Sequence, residues 1–134
     1  MPVLKTDIMP LQTEQDIVLA RQAVRKMSNE LNFGLVDQTK MVTAASELAR
    51  NALIYGGGGH MRWEMLLDGA RKGLRLSFED KGPGIPDMEL AMKDGWTSGH
   101  GLGMGLSGSK RLVNDFEIDS KPGVGTRVVI TRWK

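Results

Sequence analysis

At 134 residues, 40% hydrophobic and 25% charged, the chain has the size and make-up of one globular domain, residues 1–134, because a second would leave each half without a core. Eighteen Lys and Arg are interleaved with 16 Asp and Glu, and only 5% of residues are aromatic, which excludes the basic, aromatic-lined stripe of a nucleic-acid binder. The lack of cysteine excludes a disulfide frame or thiolate zinc site, and no apolar run approaches the about 18 residues that span a bilayer; a cytoplasmic protein with no membrane or nucleic-acid partner is expected.

Val3 to Met9 alternates weakly and predicts an edge strand ending before Pro10. Thr13 and Asp16 form a capping-box variant ahead of Ile17, Ala20, Val24, Met27 and Leu31, whose spacing predicts a helix over 14–31. Asp37 is expected to cap a second helix, with Met41, Ala44, Ala45, Leu48, Ala52 and Tyr55 on one stripe and the run Gly56 to Gly59 as its stop. Strands are predicted at 61–67 and 73–79, turning through Asp68 to Lys72. Pro86 to Lys93 reads as one or two helical turns. The glycine-rich stretch 95–105 then leads into a helix of about ten residues, with Leu106, Ser109, Val113 and Phe116 on one face. A hairpin over 116–120 and 126–133, turning at Pro122 to Gly125, closes the chain. Helices early and paired strands late predict an α+β fold: a mixed sheet covered on one face by helices.

Four constellations carry chemistry. Glu47 and Asn51 stand at i and i+4 at the rim of an apolar stripe, so a carboxylate and an amide share a face and could orient a hydroxyl and hold a divalent cation. Asp80-x-Gly82-x-Gly84 ends an apolar strand with a carboxylate able to accept from an exocyclic amine such as adenine N6, beside glycines that admit a ligand. Gly101-x-Gly103-x-Gly105 opens a helix whose first N–H groups favour phosphate, within a stretch long enough for a mobile lid. Gly123-x-Gly125-Thr126 turns the last hairpin. Each alone also reads as an ordinary feature: a polar helix edge, a capped turn, a linker, a hairpin loop. The phosphate-loop pattern G-x-x-x-x-G-K-[ST] is absent, and no β-α-β unit surrounds Gly101 to support a dinucleotide fingerprint.

In this order and spacing, the four resemble the N, G1, G2 and G3 motifs of the GHKL ATPase superfamily, over residues 37–131. With neither a dimerisation helix bearing a phosphoacceptor histidine nor a transducer domain, the chain is expected to fall in the small anti-sigma-factor serine-kinase branch. Asp16-Ile-Val18, Phe33-Gly34, Ser46 to Asn51, Asp80 to Asp87, Asp94-Gly95, Thr97-Ser-Gly99 and Lys110-Arg-Leu112 resemble its stressosome switch kinases.

That resemblance implies a Bergerat two-layer sandwich and an ATP- and Mg²⁺-dependent protein-serine/threonine kinase. Its substrates would be STAS-domain scaffold proteins of the RsbS and RsbR kind, and on release it would activate an output protein such as an RsbU-like phosphatase. By the same resemblance Glu47 is the general base, Asn51 the Mg²⁺ ligand and Asp80 the reader of adenine. Gly82 and Gly84 let the base sit close, and Tyr55 approaches the nucleotide. Gly101, Gly103, Gly105 and Leu106 supply the lid and helix start, and Thr126 supports Asp80. Lys110, Lys81 and Arg50 are candidates to meet the phosphates. A non-enzymatic ATP-gated binding module and a sigma-factor-sequestering kinase are the alternatives.

Overall fold

A computed structural model describes residues 3–82 and 105–134. The first strand, β1 (Val3–Leu11), runs through Pro10 rather than stopping before it. It pairs only with β2 (Gly59–Asp68) and is an edge of the sheet, where a missing backbone donor is tolerated. Helix α1 (Glu14–Glu30) begins with the expected reciprocal cap: Thr13 Oγ1 accepts from the Asp16 N–H at 3.2 Å, and Asp16 Oδ2 accepts from the Thr13 N–H at 3.1 Å. Ile17, Ala20, Val24, Met27 and Leu31 are buried along it as their spacing predicts.

Helix α2 (Leu35–Ile54) starts three residues earlier than expected, with Gly34 and not Asp37 at its N-cap. Asp37 sits in the first turn, where a carboxylate also complements the helix dipole, and its side chain is taken by Arg132. Met41, Ala44, Ala45, Leu48 and Ala52 form the buried face, and Gly57 (φ 72°) and Gly58 (φ 103°) end the helix in the left-handed region. Strands β2 and β3 (Arg71–Asp80) pair along their full length from Gly59↔Asp80 to Asp68↔Arg71, longer than predicted because Gly69 and Ala70 alone make the turn. Helix α3 (Gly105–Arg111) has seven residues. Leu106 and Ser109 are buried on it, but Val113 lies beyond its end and Phe116 is already in β4 (Asp115–Lys121), so those four residues do not share a helical face. Strand β5 (Gly125–Trp133) completes the sheet. The expected helical turns at 86–93 lie outside the described residues.

The sheet order is β1-β2-β3-β5-β4, and all four pairings are antiparallel. The α+β class with helices over one face stands, and among the described residues the sheet is antiparallel rather than mixed. Strand β4 runs parallel to β3, so docking it there would have made a parallel pair. Strand β5 takes the place instead. Val128 and Ile130 face the core, and Val129 and Thr131 on its other side are also buried, whereas β4 alternates exposed Asp115, Glu117 and Asp119 with Phe116 and Ile118. A strand apolar on both faces suits the interior of a sheet, and a half-charged one suits an edge.

Met61, Met65, Leu74, Leu76, Phe78, Val128 and Ile130 meet the apolar faces of the helices in one core. The opposite face carries charge ladders: Arg75 donates through Nε (2.8 Å) and Nη2 (3.0 Å) to the two oxygens of Glu64, and Arg127 reaches Glu79 at 3.0 Å.

Candidate functional site

Asp80 is the last residue of β3, held between Gly59 of β2 and Thr126 of β5. Its half-buried carboxylate accepts from the Gly82 N–H at 2.9 Å. Burial pushes its pKa above the ordinary value of 3.8, and the backbone N–H groups of Gly82 and Thr126 act against the rise. A carboxylate held by one such hydrogen bond keeps lone pairs for a further donor.

Four glycines from three parts of the chain close around it. A Cβ on Gly56 would lie 2.3 Å from Asp80 Cγ, one on Gly82 would lie 2.6 Å from Gly56 Cα, and one on Gly125 would lie 2.2 Å from the Asp80 carbonyl oxygen. On Gly59 it would lie 1.9 Å from the Glu79 carbonyl oxygen. Gly82 is thus required by its contact with Gly56, whatever room it also leaves for a ligand. Gly56 and Gly59 were legible only as part of a helix stop. The signal was their surplus: two left-handed glycines end α2, and the other two have no positive φ to account for them.

The last turn of α2 delivers the rest. The Asn51 carbonyl accepts from the N–H groups of Tyr55 (3.0 Å) and Gly56 (3.2 Å), so Asn51 is tied directly to the segment that packs on Asp80. Asn51, Tyr55, Asp80, Gly82 and Thr126 therefore gather at one end of the sheet. The Thr126 hydroxyl pairs with Ser120 Oγ at 2.9 Å, while Thr126 stands opposite Asp80 in the β3–β5 pairing.

Glu47 lies one turn before Asn51, about 6 Å along the helix axis. It borders a cavity of about 510 Å³ between α1 and α2, shared with Arg21, Arg25, Thr39, Thr43 and Ser46 among others. Arg50 points elsewhere, toward Glu14 of α1 at 3.9 Å, and Lys81 and Lys110 are exposed. Leu106 is buried in the core, so only its backbone could meet a ligand at the start of α3, beside Gly105. Gly84, Gly101, Gly103 and all of the expected lid over 95–105 but Gly105 lie outside the described residues. Among the described residues no three His, Cys, Asp or Glu side chains form a metal cluster, and no helix is long and apolar enough to cross a membrane.

A carboxylate at a strand end, glycines around it and an i, i+4 Glu–Asn pair on the adjoining helix coincide with a family profile. Residues 36–134 match the histidine kinase-, DNA gyrase B- and HSP90-like ATPases. The chain belongs to this family. It is 47% identical over 123 residues to the serine/threonine-protein kinase RsbT of Bacillus subtilis (strain 168), covering 92% of each chain. It is 30% identical to an anti-sigma F factor of Bacillus licheniformis, covering 88% of this chain and 84% of the relative. The fold is that of the RsbU and RsbW domains of a Mycobacterium tuberculosis protein: TM-score 0.66 at 20% identity, spanning all of this chain and 33% of that longer one. The chain is an ATP-dependent enzyme of the protein-serine/threonine kinase class.

Proposed function

We propose that the chain is a stressosome switch kinase that transfers the γ-phosphate of ATP to Ser or Thr of RsbS-like and RsbR-like STAS-domain scaffold proteins in the bacterial cytoplasm. Once released from that scaffold it activates a downstream output protein, an RsbU-like phosphatase or another. The observation that carries this reading is the junction Asn51–Gly56–Asp80, which brings an amide and a carboxylate from α2 and β3 to one end of the sheet. The near full-length similarity to RsbT supports the choice of substrate class.

Asp80 accepts from adenine N6, with the Gly82 N–H holding the carboxylate and Thr126 beside it on β5. Tyr55, Gly84 and Leu106 line the nucleotide, and Gly101, Gly103 and Gly105 cover its phosphates. The Asn51 amide oxygen is a hard donor suited to Mg²⁺, with phosphate and water supplying the other ligands. Mg²⁺ held there would neutralise developing phosphate charge. Glu47 faces the cavity between α1 and α2, from which an acceptor hydroxyl would approach, and takes its proton. The acceptor oxygen bonds to the γ-phosphorus as the bond to the β–γ bridging oxygen breaks, and ADP leaves. Such chemistry asks for positioning and charge neutralisation rather than a covalent enzyme intermediate.

Radiolabelled ATP and purified STAS-domain protein, followed by mapping of the phosphosite, test the reading. Label on one Ser or Thr of the STAS domain is expected, and none at any enzyme concentration overturns it. The anti-sigma F similarity supports a second reading, in which the chain sequesters a sigma factor. Stable, ATP-dependent capture of a sigma factor without STAS phosphorylation would favour that one.

A further inference from the structure

Helix α2 buries Met41, Val42, Ala44, Ala45, Leu48, Ala49 and Ala52 in the core, small side chains for the most part. Burial of such a face is strong but non-directional, and small side chains leave shallow ridges, so apolar contact alone sets the axial position of the helix weakly. Glu47 and Asn51 nevertheless have to stand at a fixed distance from Asp80 if one nucleotide is to meet all three. The Gly56–Asp80 contact holds the C-terminal end of α2, so its N-terminal end needs a tether of its own if the whole helix is to keep one register.

Arg132, near the end of β5, has the geometry to provide it. Its Nε donates to Asp37 Oδ1 at 3.1 Å, its Nη2 donates to the same oxygen, and its Nη1 donates to the Leu112 carbonyl at 2.9 Å. The Arg132 side chain is 15% exposed and that of Asp37 33%. One planar guanidinium thus joins the first turn of α2, the exit of α3 and the strand that carries Thr126. The same corner is stitched further by the Asn114 N–H to the Thr131 carbonyl (3.0 Å) and the Trp133 N–H to Asn114 Oδ1 (2.7 Å), so the base of the fork is rigid. From Asp37 to Glu47 is about 15 Å along the helix, and to Asn51 about 21 Å. A helix transmits an axial slip or a rotation undiminished over such lengths.

From this we infer that Arg132 is a positioning residue for catalysis: its fork on Asp37 and Leu112 sets the register of α2 against the sheet, and so of Glu47 and Asn51 against Asp80. The inference rests on the assignment of those three residues in the proposed function. It goes beyond that assignment in giving a catalytic consequence to a salt bridge at the far end of the helix. Displacement of about 1 Å at the reacting groups is enough to lower a rate by about a hundred-fold. Lysine cannot replace the fork, because one ammonium does not reproduce a planar set of donors to both acceptors.

The experiment compares Arg132→Gln, Arg132→Lys and the milder Asp37→Asn with Arg75→Gln, which breaks the other two-pronged ion pair on the face of the sheet away from α2. All are assayed well below their melting temperatures. Arg132→Gln is expected to lower kcat by about ten- to a hundred-fold and to raise the Mg²⁺ concentration needed for half-maximal rate. Metal-free binding of adenosine, which depends on the sheet, should stay within about three-fold. Asp37→Asn should follow in part, Arg132→Lys should rescue incompletely, and Arg75→Gln should lose stability while keeping kcat and the Mg²⁺ dependence. In ¹H–¹⁵N spectra Arg132→Gln should shift the Glu47 and Asn51 amides and Arg75→Gln should not, a readout that stands apart from any kinase activity. Unmoved Glu47 and Asn51 amides, or equal kinetic losses in Arg75→Gln, overturn the inference. Shifted amides in a protein whose wild type transfers no phosphate would instead count against the functional reading.

Discussion

Gly56→Ala should weaken nucleotide binding without replacing any residue assigned to the ligand. Gly56 has no positive φ, so alanine can adopt its backbone, and the perturbation is purely steric. The added Cβ would lie 2.3 Å from Asp80 Cγ, 2.4 Å from its Cβ and 2.6 Å from Oδ2, against about 3.5–4.0 Å for carbon atoms in contact. Rotating χ1 would move the carboxylate but not Asp80 Cβ, whose position is set by β3 between two paired strands. The segment after α2 must therefore shift, and Gly82, stacked on Gly56, shifts with it. Overpacking of this kind costs roughly 1–3 kcal/mol of stability. Displacing the acceptor for adenine removes a charge-assisted hydrogen bond of about 1.5–3 kcal/mol, or roughly ten- to over a hundred-fold in Kd. Calorimetric titration with Mg·ATP analogue at a temperature where melting curves show the variant folded reads this directly. Gly34→Ala, where an added Cβ meets nothing within 4 Å, is the control. Wild-type affinity in Gly56→Ala would refute the placement of adenine at Asp80.

Asp80→Asn should weaken ATP binding by about ten- to a hundred-fold, because an acceptor is weakened or replaced by a donor. It should also stabilise the ligand-free protein at neutral pH. Burial raises the Asp80 pKa, so wild-type stability falls as pH rises through the window above 3.8, and the advantage of the variant should vanish when melting is repeated below that window. The Glu64 pKa is lowered, chiefly by its hydrogen bond from Arg75, so that pair's contribution is present above the ordinary 4.5 and lost as pH falls through the depressed value. Arg75→Gln should remove it, and its denaturation midpoint should approach that of wild type in acid. Asn51→Ala should lose the Mg²⁺-dependent part of ATP affinity, read as the ratio of Kd with and without the ion.

The element order was legible because helical and alternating periodicities differ and glycines mark the joints. Asp37 misled because a capping residue and a first-turn acid have the same composition, and its partner Arg132 is remote in sequence. Val113 and Phe116 misled because helical spacing runs on past a helix that its own tertiary contacts stop. The sheet's direction turned on which of two hairpin strands docks on β3, a choice made by burial on both faces of β5. Glu47, Asn51 and Asp80 were readable as chemistry-bearing residues in a familiar order. Gly56 and Gly59 were not, since the contacts that require glycine there come from Asp80 and Glu79 across the fold. The cavity beside Glu47 needed two helices to be packed before it existed.

The division of labour between α2 and the sheet is tested most directly by Glu47→Ala, measured for single-turnover phosphoryl transfer and for ATP affinity on the same preparation. A general base acts on the acceptor's proton and not on the bound nucleotide. Transfer should be abolished while the Kd for Mg·ATP stays within a few-fold of wild type. A variant that transfers phosphate at the full rate, or that loses ATP binding along with transfer, would contradict the account.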